Sequence, residues 1–167
     1  KAEAAKLWNI LLKAGKDFGI VPCGLAARDT LRLECCMALY GHELSELRSP
    51  LQGTYGWAVD FEKEDFIGKE ALLAQKSEGV KEKLVAFEMV GRAIAREGCP
   101  IMVNGKKAGV VTSGNFSPTL KKNIGLGYIG VEASAPDTEF EVEVRGKPFK
   151  AKVVKKPFYR RDSDGKS

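Results

Sequence analysis

EFEVEVRGKPFKAKVV, residues Glu139 to Val154, decides the fold class of this chain. Phe140, Val142 and Val144 alternate with Glu139, Glu141 and Glu143, the two-residue period of a strand with one face buried and one in water. Arg145-Gly146-Lys147 turns the chain, and Phe149, Ala151 and Val153 alternate back, so the stretch predicts an antiparallel hairpin. The same period recurs upstream. Leu84, Ala86, Glu88 and Val90 share one face of a strand and Val85, Phe87 and Met89 the other. Two apolar sets predict burial on both sides. Ile101-Met102-Val103 and Ala108 to Thr112 flank Asn104-Gly105, the strongest short hairpin signal. Several short strands joined by Gly-rich turns predict a small antiparallel barrel or sandwich.

The chain before Gly79 has a different rhythm, of mixed helix and strand. Ala4, Leu7, Trp8, Leu11, Leu12 and Phe18 recur at helical spacing, which predicts an amphipathic helix over residues 2–15 closed by Gly15 and Gly19. Pro22, Cys23 and Gly24 break the pattern, and Leu25 to Met37 predicts a second helix. Gly53 to Asp60 (GTYGWAVD) alternates as a short strand with Trp57 and Val59 on one face. Asp65 to Lys76 predicts a third helix capped by Asp65. The linker is expected near Ser77 to Lys83, dividing a mixed region (1–80) from a β domain (81–160), with a polar, disordered tail over 161–167. The sequence opens at Lys1 inside a helical pattern, so a fragment of a longer protein is expected.

Composition narrows the function. The chain has 167 residues, 44% of them hydrophobic, enough for a packed core. No stretch approaches ~20 apolar residues, so no membrane span is expected. The net charge is +5, densest at Lys121-Lys122, Lys155-Lys156 and Arg160-Arg161. No nucleic-acid reader motif accompanies it, and the excess suits an anionic substrate or an acidic protein partner instead. The four cysteines (Cys23, Cys35, Cys36, Cys99) form no CxxC pair and there is one histidine, so no metal site is expected; free thiols in a reducing compartment are the simpler reading.

Arg28, Asp29, Arg32 and Glu34 crowd the second helix. Arg28 and Arg32 are one turn apart and repel unless neutralised. Asp29 is spaced to pair with Arg32, which leaves Arg28 without a neighbouring acid on its C-terminal side. Read from these residues alone, Arg28 is either solvated or paired with a distant acid, or it is a clamp for a carboxylate or phosphate. His42 is either a general base or, more simply, a loop histidine with ordinary hydrogen bonds, its only local acid being Glu43. Ser113-Gly114-Asn115-Phe116-Ser117-Pro118 reads as a turn-rich loop, or as an anion nest. Gly125 and Gly127 lack the third glycine of a nucleotide fingerprint, and no serine or cysteine has a nucleophile's setting.

GLAARDTLRLE (Gly24 to Glu34), YGHEL (Tyr40 to Leu44), SPLQGTYGWAVD (Ser49 to Asp60), FIGKEAL (Phe66 to Leu72), GVVTSGNFSPTLKKNIGLGYI (Gly109 to Ile129) and KPFY (Lys156 to Tyr159) occur in the order of the glycine cleavage T-protein family, which the chain resembles from Leu7 to Tyr159. The resemblance implies an α+β chain: the last part of an α/β folate-binding region, followed by a jelly-roll-like antiparallel β-barrel. It implies transfer of an aminomethyl group from the lipoyl arm of the H-protein to tetrahydrofolate, catalysed by the full-length protein and not by this piece alone. It implies folate binding by Arg28, and an essential aspartate in an N-terminal half that matches neither Asp29 nor Asp60. Some relatives carry a tyrosine nine residues after the first arginine of AARD, where this chain has Met37; a C-terminal aromatic also touches folate in some members, and Tyr159 lies near that region. The superfamily includes demethylases and an iron–sulfur assembly factor, and an isolated fragment is alternatively a non-catalytic interaction module. No metal, nucleic acid or membrane is implied, and the compartment is the cytoplasm for a bacterial protein or the mitochondrial matrix for a eukaryotic one.

Overall fold

Three helices precede six strands in the computed structural model, which describes residues 2–53 and 55–160. The helices are α1 (Ala2–Ala14), α2 (Leu25–Glu34) and α3 (Lys69–Glu78). The strands are β1 (Glu82–Met89), β2 (Pro100–Val103), β3 (Lys106–Ser117), β4 (Lys122–Gly130), β5 (Glu139–Val144) and β6 (Lys147–Val154). All pairings are antiparallel, and the strands close into a barrel in the order β1-β4-β3-β2-β5-β6. The fold is α+β, and closure leaves the barrel no free sheet edge.

Both hairpins expected from the sequence form, for a local reason. Arg145 and Gly146 (φ 53° and 74°), and Asn104 and Gly105 (φ 51° and 72°), hold the left-handed pairs of type I′ turns, whose twist matches the flanking strands. β1 is buried on both faces, as its two apolar sets require. Val85, Phe87 and Met89 join Ile101, Val111, Ile129, Phe140, Val142 and Val153 inside the barrel. Leu84 and Ala86 point outward, with Ile124, Leu126 and Tyr128, onto Leu33 of α2. The barrel therefore has a second, smaller apolar cluster on its outer wall, and α2 is the element docked there.

Several expectations are corrected. GTYGWAVD forms no strand among its described residues: Gly56–Ala58 is a single 3₁₀ turn with Trp57 exposed, and the Tyr55 hydroxyl accepts a hydrogen bond from the Ala38 amide at 3.1 Å. Alternation without a partner strand leaves the backbone to bond locally. The third helix starts at Lys69, not Asp65, because Gly68 sits at φ 89°, which no helix passes through. The second helix stops at Glu34, three residues early. Cys36 takes φ 54°, its amide donates to Leu33 O at 2.9 Å, and the Met37 amide donates to Arg32 O at 2.8 Å, the paired bonds of a Schellman cap. The Ser113 to Pro118 run is neither loop nor nest up to Ser117, since β3 runs on against β4 as far as the Ser117–Lys122 pair. The tail expected over 161–167 lies outside the described residues. The helix α1 forms as expected, yet Leu7, Trp8 and Leu11 are each at least half exposed.

Candidate functional site

The geometry around α2 begins with how the helix is held. Leu33 is fully buried against the outer cluster of the barrel, and Glu34 is buried beside it. The Glu34 carboxylate accepts hydrogen bonds from Ser117 Oγ (2.5 Å) and Thr119 Oγ1 (3.0 Å), which ties the C-terminal end of the helix to the β3–β4 turn. Its carbonyl accepts from the Tyr159 amide at 2.9 Å, so the chain after β6 returns to the same end of α2.

Next to Leu33 along the helix, Arg32 is clamped on three sides. Asp29 takes its Nε and NH2 at 2.9 and 2.6 Å, as the sequence spacing predicts. Glu43 takes NH1 at 2.9 Å, and NH2 donates to Ser113 Oγ at 2.8 Å. The Glu43 side chain is wholly buried. Its second oxygen accepts from Thr112 Oγ1 at 2.7 Å, its first also accepts from the Leu39 amide, and its carbonyl accepts from the Tyr128 hydroxyl at 2.8 Å. Burial pushes the Tyr128 phenol up to about 12, and the Arg48 guanidinium lies 4.0 Å from its ring centre. Thr112 and Ser113 are neighbours in β3, and a regular strand would send their side chains to opposite faces. The register shift between Val111 and Ser113 leaves Thr112 bulged, so both hydroxyls reach the same ion pair.

Arg28 stands apart from this network. It is exposed, and among the described residues it has no hydrogen-bond or ion-pair partner. It lines an open cavity of about 490 Å³ whose other walls include Ala27, Leu31, Cys35 and Met37. The side chain is therefore not consumed by any acid among the described residues. Cys36, behind that wall, is a different kind of thiol: burial pushes it up to about 11.

His42 lies on the far side of Arg32, in a separate pocket of about 310 Å³ shared with Asp29, Arg96, Glu97 and Ser113. Its Nδ1 is 3.1 Å from Thr112 O and 3.3 Å from a Glu97 carboxylate oxygen, so the acid that faces it is Glu97 and not Glu43. Arg28 and His42 thus occupy two cavities with Arg32 between them. Glu43 is the residue the sequence reading missed. Among the described residues no group of three or more His, Cys, Asp and Glu side chains is placed to hold a metal ion, and no helix is long and apolar enough to cross a membrane.

Comparison with known proteins agrees with this architecture. The family described as "GCVT N-terminal domain" matches residues 1–63, and "Glycine cleavage T-protein C-terminal barrel domain" matches residues 82–160. An aminomethyltransferase of Geobacillus sp. (strain WCH70) is 51% identical over 162 residues, 96% of this chain and 44% of that protein. One of Anoxybacillus flavithermus is 52% identical over 160 residues, 95% of this chain and 44% of that protein. The crystal structure of glycine cleavage system aminomethyltransferase T from Bartonella henselae superposes with a TM-score of 0.86 at 33% identity, over 95% of this chain and 44% of that one. The chain spans less than half the length of the relatives it matches. With both family domains matched in order, half of its positions shared with curated relatives and the same fold in a solved one, the chain belongs to the glycine cleavage T-protein family.

Proposed function

We propose that this chain is the C-terminal part of a tetrahydrofolate-dependent aminomethyltransferase of the glycine cleavage system. The complete enzyme takes the aminomethyl group from the lipoyl arm of the H-protein. Two folate nitrogens bond to the transferred carbon, its bonds to sulfur and to the amino nitrogen break, and the products are methylenetetrahydrofolate, ammonia and the dihydrolipoyl arm. The observation that carries the ligand assignment is the guanidinium of Arg28, without a partner among the described residues, at an open cavity with apolar walls. A folate offers what such a place recognises: a flat aromatic body for Ala27, Leu31 and Met37, and a glutamate tail whose carboxylates fit the planar fork of Arg28. Met37 supplies apolar surface where some relatives carry a tyrosine.

No acid of this chain is assigned the catalytic role, and Asp29 is committed to Arg32. The catalytic aspartate belongs to the N-terminal half of the complete enzyme. Residues 1–80 are read as the end of the folate-binding region and 81–160 as the barrel domain. The net charge of +5 suits steering of an acidic carrier protein. Four free thiols and bacterial relatives favour the reducing cytoplasm.

The test is steady-state kinetics of Arg28→Ala in the complete enzyme. The Michaelis constant for tetrahydrofolate is expected to rise about tenfold or more, the range for losing a hydrogen bond to a charged group, with a smaller fall in turnover. Unchanged kinetics removes Arg28 from the site. The 167-residue chain alone is expected to bind tetrahydrofolate weakly and to transfer nothing; tight binding by calorimetry contradicts the division of labour proposed here.

A further inference from the structure

We infer that Glu43 is a positioning residue for the folate site: buried beneath α2, it neutralises Arg32 so that Arg28 is left as the one uncommitted guanidinium at the cavity. The inference rests on the proposed role of Arg28 and extends it to a residue that lines no part of that cavity.

The two arginines are one helical turn apart and both line the cavity. Two bare guanidiniums at that spacing repel, and each competes for the same anionic ligand. The structure separates them by giving Arg32 two carboxylates and a hydroxyl, from Asp29, Glu43 and Ser113, and giving Arg28 none among the described residues. Asp29 alone would neutralise the charge of Arg32 but would leave its NH1 with nothing better than a long 3.5 Å contact to the Met37 carbonyl. Glu43 closes that position at 2.9 Å. It is itself locked by Thr112 Oγ1 at 2.7 Å and the Leu39 amide at 2.9 Å, so the anion beneath the helix has no freedom to follow Arg32 outward. Ser113 and Thr112 belong to the barrel, and the β-bulge aims both of them here. Placement of the ligand's carboxylate on Arg28 is thus set by the outer wall of the barrel.

The experiment is a double-mutant cycle in the complete enzyme, with Glu43→Gln, Arg28→Ala and the two combined, each measured for the tetrahydrofolate Michaelis constant, for turnover and for melting temperature. Glu43→Gln keeps the shape but removes the charge: its amide oxygen still accepts from the Leu39 amide, and its NH2 donates to Thr112 Oγ1, whose own proton goes to Leu126 O. It is expected to raise the Michaelis constant about fivefold to tenfold, roughly 1–1.4 kcal/mol, and to leave turnover within about twofold. Because Glu43 acts through Arg28, the double variant is expected to match Arg28→Ala alone, whereas an indirect stability effect would add to it. Should Glu43→Gln fail to fold, Asp29→Asn tests the same clamp from its exposed side, with the same direction and a smaller rise. If Arg28→Ala changes nothing, the folate reading of Arg28 falls and this inference with it. If Arg28→Ala weakens folate but Glu43→Gln (or Asp29→Asn in its place) leaves the Michaelis constant unchanged, or the two effects add in full, the positioning role alone is overturned.

Discussion

Replacing Leu33 by alanine tests whether a single apolar side chain docks the functional helix on the barrel. Leu33 is fully buried against Leu84, Ala86, Ile124, Leu126 and Tyr128, and it is the one buried aliphatic side chain that α2 contributes. Returning a buried leucine side chain's apolar surface to water costs about 1.5–3 kcal/mol. The walls of the remaining hole are strands of a closed barrel, which collapse poorly. If about 40 Å³ stays empty, the cavity adds roughly 1 kcal/mol at ~24 cal/mol per Å³. A total of about 3 kcal/mol lowers the melting temperature by roughly 6–12 °C for a protein of this size. Leu31 is the built-in control: same residue, same helix, two positions away, but 63% exposed on the cavity side. Leu31→Ala is expected to change stability by no more than about 0.5 kcal/mol. The assay is thermal unfolding by circular dichroism, with amide exchange across residues 25–37 to report on the helix itself. Equal shifts for the two variants, or a larger one for Leu31→Ala, would refute the docking argument, because alanine is an equally good helix former at both positions.

Two further outcomes follow from close contacts and burial. Gly114→Ala puts a methyl group 1.9 Å from the Ala95 carbonyl oxygen, a backbone atom that cannot step aside, so a loss of about 3 kcal/mol or more is expected in denaturant unfolding, and a wild-type midpoint would disprove the close approach. Cys36 has its thiol pushed up to about 11 by burial, so at pH 8 a thiol reagent is expected to label the exposed Cys23 and Cys35 well ahead of it. Labelling of Cys36 then accelerates about tenfold per pH unit as the thiolate forms toward pH 11, and mass spectrometry showing Cys36 modified as fast as Cys35 at pH 8 would contradict its buried setting.

What the sequence made legible is what is decided locally. The period of two in Glu139 to Val154 and the left-handed preference of Asn104-Gly105 act over a few residues, and both hairpins formed where they were expected. The two apolar sets of β1 were legible for the same reason, although only the structure shows what each set faces. Features decided at long range were not legible. GTYGWAVD alternates well enough for a strand, but alternation does not supply a partner. Ser113-Gly114-Asn115 has turn chemistry, yet β4 pairs with it residue by residue, and Gly114 is there because the Ala95 carbonyl passes so close. Cys36 ends α2 in a left-handed conformation with no glycine to announce it. Within the site, the pairing of Asp29 with Arg32 and the isolation of Arg28 from local acids could be read from spacing one helical turn long. Glu43 could not, because its partner Thr112 is 69 residues away, and a lone acid in a loop carries no mark of burial.

The division of labour on α2 also explains why an arginine–carboxylate pair lies beside a joint that Leu33 and the Glu34 bonds to Ser117 and Thr119 already hold. A buried arginine–carboxylate pair is weak evidence for stability, since well-packed apolar residues of the same volume hold two elements together at least as well. Leu33 already supplies that apolar attachment. What an apolar contact does not supply is a fixed rotation of the helix about its own axis: a leucine against a smooth wall tolerates several. The Arg32 clamp has directions as well as distances, with one guanidinium nitrogen aimed at Glu43, another at Ser113, and Asp29 closing the helix side. Rotating α2 by even part of a turn would break these bonds in a site where Glu43 has no water to replace them. The rotation they fix is the one that turns Arg28 outward to the open cavity. Leu33 and Glu34 therefore account for α2 being on the barrel, and the ion pair accounts for which of its two arginines is left to meet an anion.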